Sequence, residues 1–159
     1  MLLTAGYVVA TAQITKYGVT VTESKPEAVA KVKTYTWTAG QPSPDKTTDQ
    51  QIIAAVDREL KTIGLTKATT GKGDAQVMYA SQRRTDANVK AKPSPTGALP
   101  TTAVGVLVVQ MRDSANGQML FNAKVDRPIE AESAKLEATI NAAAAAIFAK
   151  YPGRAGAKR

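Results

Sequence analysis

The 159-residue sequence predicts an α+β domain: an antiparallel or mixed sheet of about five to six strands with two main helices packed on it. Three observations predict it. Two long segments, about 48–63 and 132–150, carry apolar residues at helical spacing. Several short runs either alternate with period two or are almost continuously apolar. Between them the chain carries glycine, proline and Asn-Gly, the chemistry of turns.

The elements follow in order. Tyr17 to Thr22 alternates Val19 and Val21 with Thr20 and Thr22, a strand with one buried face. Pro26 opens a short helical segment, Glu27 to Lys33, with Val29 and Val32 on one side. Thr34 to Thr38 is a β-branched and aromatic strand, and Gly40 to Asp45 is a loop. The first main helix, about 48–63, takes Thr47, Thr48 or Asp49 as its cap. It presents Ile52, Val56, Leu60 and Ile63 on one face. Gly64 ends it in a left-handed conformation, with Leu65 folding back.

Asp74 to Gln82 is the next strand, Ala75, Val77 and Tyr79 on one side. Arg83 to Thr102, with three prolines and scattered basic residues, reads as a long loop. Val104 to Met111 suits a central strand covered on both faces. Asp113 to Gly117 is a hairpin connection. The return strand, Gln118 to Asp126, sets Met119, Phe121, Ala123 and Val125 inward against Gln118, Leu120, Asn122 and Lys124. The last helix, about 132–150, presents Leu136, Ile140, Ala143, Ala144 and Ile147 to the sheet, and Tyr151-Pro152-Gly153 ends it.

Residues 13–152 therefore form a single domain. Met1 to Ala12 is apolar and uncharged and ends Ala10-Thr11-Ala12, as at the cleavage end of a secretory signal, although no Lys or Arg precedes it. It reads as a signal-peptide remnant, or alternatively as a strand at Gly6 to Thr11. Residues 153–159 form a basic flexible tail. No segment approaches the roughly 18 apolar residues of a transmembrane helix.

Composition narrows the chemistry. The chain has no cysteine and no histidine, which excludes thiol nucleophiles, imidazole bases and the usual zinc ligand sets. A net charge of +8 favours anionic surfaces through field rather than shape. Gly71-Lys72-Gly73-Asp74 lacks the lysine-hydroxyl pair of a phosphate loop and reads as a turn. Carboxylates at Asp57, Glu59, Glu130, Glu132 and Glu137 fit helix faces and a helix start rather than an acid/base pair. Tyr35 and Trp37 share one strand face and suit core packing. No catalytic, cofactor-binding or metal-ligating residue is assigned. Arg83, Arg84, Lys90 and Lys92 are the candidate anion or surface-binding residues, without the interleaved aromatics that nucleic-acid binding favours.

Taken in order, Val19 to Thr22, Lys33 to Trp37, Asp49 to Leu60, Gly105 to Val109 and Ile147 to Pro152 resemble the bacterial family catalogued as domain of unknown function 4136. The similarity spans roughly Tyr17 to Pro152. It implies a small envelope protein, often a lipoprotein, with no established catalytic residues. A lipid anchor on cysteine is not supported, since the chain has none. The expectation is a non-catalytic envelope domain, periplasmic or peripherally membrane-associated, whose partner is an envelope protein or an anionic envelope surface. The alternatives are a cytosolic anion or nucleic-acid module using the basic loop and tail, and a carboxylate-dependent hydrolase.

Overall fold

The computed structural model describes residues 17–129 and 133–153. The elements are β1 (Gly18–Ser24), α1 (Pro26–Val29), β2 (Thr34–Trp37), α2 (Lys46–Thr62), β3 (Thr66–Lys67), β4 (Ala75–Ala87), β5 (Thr101–Asp113), β6 (Met119–Pro128) and α3 (Ser133–Phe148). They build a six-stranded mixed sheet in the order β1-β6-β5-β4-β2-β3. β1, β6, β5 and β4 pair antiparallel, while β2 pairs parallel with both β4 and β3. The α+β class is as the sequence predicts. The readings of residues 1–12, 130–132 and the tail from 154 lie outside the described residues.

The helices pack on one sheet face, where the core lies. Ile52, Val56 and Leu60 of α2 and Ile140, Ala144, Ile147 and Phe148 of α3 meet Val77, Val109, Met111, Phe121 and Ala123 of the long strands. A fully buried side chain of Leu or Phe size contributes roughly 1.5–3 kcal/mol. The alanines of α3 let the helix approach closely. Phe121 is ringed by Tyr151 at 5.3 Å and Phe148 at 6.3 Å between ring centroids.

The end of α2 is as read. Gly64 sits at φ 91°, Leu65 N–H returns to the Leu60 carbonyl at 2.9 Å, and Gly64 N–H bonds Lys61 at 3.0 Å. Together these satisfy carbonyls that a helix end leaves open. Its start differs from expectation. Asp45 is the cap, accepting from Thr48 N–H at 2.7 Å, so α2 begins two residues earlier than 48. The short helix also closes sooner, at Val29, and β3 is a strand the periodicity does not reveal.

Three further differences bear on function. β4 and β5 extend through Ala87 and from Thr101, so Arg83 and Arg84 are strand residues and the loop shrinks to 88–100. Leu120, assigned to the wet face by strict alternation, is fully buried. A register shift between Met111 and Arg112 pairs Arg112 with Met119 and Met111 with Phe121, leaving Leu120 as the extra residue. Finally, among the described residues helices cover only one face of β5. Val104 and Val106 point to the other and are nevertheless buried.

Candidate functional site

β4 alternates, so Arg83 and Arg84 leave it on opposite faces. Arg83 lies on the helix-covered side. Arg84 lies on the open side, where its guanidinium holds Asp86 at 2.9 Å and Asp126 of β6 at 3.0 Å. Lys90 and Lys92 are exposed on the 88–100 loop, next to Val89, whose side chain is 78% exposed. The four basic residues therefore do not share one surface, and Arg84 is already committed to two carboxylates.

The open face has its own organisation. Register places Arg84 opposite Val104, and Asp126 opposite Val106, so the Arg84–Asp126 pair bridges over the intervening strand β5. Lys124 joins Asp126 at 3.4 Å, and the Tyr17 hydroxyl reaches Asp86 at 3.5 Å. Asp126 is a buried carboxylate balanced by two cations. The two carboxylates hold the Arg84 guanidinium pKa above its ordinary value. Further along the same face, Met78 and Ala80 of β4 and Val108 of β5 are half-buried. With Gly40 and Gln41 they line a shallow groove of about 280 Å³.

A second polar cluster ties α2 to the sheet. Asp57 Oδ1 accepts from the Tyr35 hydroxyl at 2.6 Å and the Trp37 indole N–H at 2.8 Å, while Oδ2 pairs with Lys67 at 3.2 Å. Asp49 accepts from the Tyr79 hydroxyl, which in turn accepts from Ser43 N–H at 3.2 Å. Trp37 and Tyr79 meet edge-on at 6.1 Å. Asp74 accepts from the N–H groups of Lys33 and Thr34, both at 2.9 Å, and these bonds hold its carboxyl below the usual range. Tyr35 and Trp37 are thus packed and pinned. The carboxylates of this cluster serve as acceptors for the fold; Glu137 is exposed on α3, and Glu130 and Glu132 lie outside the described residues. Among the described residues, no group of three or more His, Cys, Asp or Glu side chains is placed to hold a metal.

A family model described as a domain of unknown function, DUF4136, matches residues 16–153. The chain belongs to this family. No curated protein matches it. This DUF4136 domain is similar in fold to PelC of Paraburkholderia phytofirmans, a dodecamer, with TM-score 0.59 and 14% identity over 88% of this chain and 98% of that one. A second crystal form of PelC gives 0.59 at 13% identity, covering 87% of this chain and 98% of that chain. A PDZ domain protein from Parabacteroides distasonis matches at TM-score 0.50 and 14% identity, over 79% of this chain and 33% of that one. At these identities the likeness is one of fold. No helix among the described residues is long and apolar enough to cross a membrane.

Neither Asp126 nor the links of Asp57 to Tyr35, Trp37 and Lys67 stand among the candidates that the sequence offers. A signal for Asp126 existed: it falls on the outward phase of β6 with Lys124, where an ion pair with a neighbouring strand is the expected use of a charge.

Proposed function

We propose that this DUF4136 domain is a non-catalytic component of the bacterial cell envelope, periplasmic or peripherally membrane-associated, that acts by protein contact through its helix-free sheet face. The observation that carries the reading is the one-sided layering. Among the described residues, all three helices contact the core face, while Met78, Ala80 and Val108 form an apolar strip on the other, flanked by the Arg84–Asp126–Lys124 charge network. An apolar strip with a charged border is how protein-binding patches are built. The fold it shares with a PelC dodecamer makes a second copy of the chain one eligible partner.

Cell fractionation tests the address, and a photo-crosslinking residue in place of Val108 tests the surface. The expected result is an envelope fraction and a crosslinked species of defined mass from position 108, absent when the same residue replaces Lys61 on the outer side of α2. A cytosolic protein, or equal crosslinking from both positions, overturns the reading.

A further inference from the structure

The inward phases of three adjacent strands end together. On β4 the phase runs Ala75, Val77, Tyr79, Ser81 and reaches Arg83. On β5 it runs back from Met111 through Val109 and Leu107 to Gly105; on β6 it passes Ala123 and Val125 to Arg127. Register sets Arg83 opposite Gly105 and Gly105 opposite Arg127. Two arginines therefore flank a glycine on the helix-covered face, their Cα atoms about 10 Å apart across two strand spacings.

A cleft of about 540 Å³ opens at this point, between the sheet and the N-terminal parts of α2 and α3. It lies within the roughly 300–1,000 Å³ range of small-molecule sites. Its walls are apolar, with Ile52 of α2 and Leu136 and Ile140 of α3 facing the strands. Gly105 leaves the floor without a side chain, and Ile129 closes over it, 2.9 Å from where a Cβ would stand.

The two arginines are the unusual feature. Arg127 Nε is buried with no hydrogen-bond partner among the described residues, a costly state for a charged donor. Among the described residues neither Arg83 nor Arg127 makes an ion pair. Asp45 lines the mouth on the Arg83 side; its carboxylate caps α2 through Thr48 and is held below the usual range by that bond first and by the Arg83 charge as well. An apolar cavity bordered by two guanidiniums, with one carboxylate near Arg83, keeps a net positive rim and suits one chemical class, an alkyl chain that ends in an anion.

We propose that this cleft binds a single-chain anionic amphiphile, its alkyl chain against Ile52, Leu136 and Ile140 and its carboxylate or phosphate head held by Arg83 and Arg127. The site lies on the opposite sheet face from the proposed protein contact and does not depend on it.

The test uses the purified full chain and a fluorescent fatty acid. Saturable binding at one equivalent is expected, displaced by palmitate or by a single-chain phosphatidic acid and not by palmityl alcohol or inorganic phosphate. Which of the two acids displaces better identifies the head group. The double variant Arg83→Gln/Arg127→Gln should weaken binding by about tenfold or more. Thr139→Trp, which narrows the cleft from α3, should abolish it. Urea midpoints near wild type for both variants show that the fold is kept. Absence of binding by the full chain overturns the proposal, as does binding indifferent to both variants or equal displacement by the alcohol. Binding that emerges only when Val8→Asp and Val9→Asp are introduced also overturns it, since the occupant would then be the chain's own apolar run Met1 to Ala12.

Discussion

The Tyr35 hydroxyl donates to Asp57 across 2.6 Å, joining the most buried residue of β2 to the middle of α2. The same carboxylate oxygen takes the Trp37 indole N–H, so one side chain fixes both inward residues of a four-residue strand. Asp57→Ala leaves two donors without an acceptor and should destabilise the domain by about 2–4 kcal/mol, against about 1 kcal/mol for Tyr35→Phe. Urea denaturation of both single variants and the double should reveal a coupling of at least about 0.5 kcal/mol. Strict additivity would mean that the clamp contributes nothing as a pair.

How far the sequence discloses this arrangement depends on whether one face of each element is buried. α2 is legible because Ile52, Val56 and Leu60 recur at helical spacing and are buried while Ala54, Arg58 and Lys61 are exposed, and because Gly64 has a conformational reason to stop it. Its start is not, since Asp45, Thr47, Thr48 and Asp49 are all competent caps and only the path out of β2 selects among them. Beyond Gln82, Arg83, Arg84 and Thr85 are all exposed, so β4 continues with no hydrophobic period to announce it. Misreading that stretch as loop is what made Arg83 and Arg84 look like one patch. The cleft was legible in principle: Arg127 and Gly105 fall on inward phases where an apolar side chain is expected.

Two glycines test how tightly β2 and its flanking loops lie against the rest of the sheet. A Cβ on Gly73 would stand 2.7 Å from the Tyr35 backbone, and one on Gly40 would stand 2.2 Å from the Tyr79 carbonyl oxygen. Both neighbours are backbone, which cannot swing aside. Gly73→Ala and Gly40→Ala should each cost about 2–3 kcal/mol or more. Gly71→Ala is the control. It meets open space but sits at φ 66°, so its cost should be near 1 kcal/mol from backbone strain alone. Thermal unfolding of the three variants checks the order, and equal losses at 71 and 73 would contradict the close approach.

Alkaline pH should loosen the domain through Tyr79. Burial, then its hydrogen bond to Asp49, push the phenol up to about 12. An unfolded tyrosine titrates near pH 10, so between these values the folded protein keeps a proton that the unfolded chain has released. The folded pKa is the raised one, so this contribution is complete below about pH 10 and is lost as pH rises through about 12. Tyr35 and Tyr151 are raised as well, both first by burial, so wild-type stability should fall across the window with the slope of several phenols. Tyr79→Phe should start less stable at pH 8, having lost the links to Asp49 and Ser43, yet decline less steeply from pH 10 to 12. Urea midpoints at pH 8, 10, 11 and 12 for both proteins measure the difference, and parallel declines would show that Tyr79 does not release its proton on unfolding in that range.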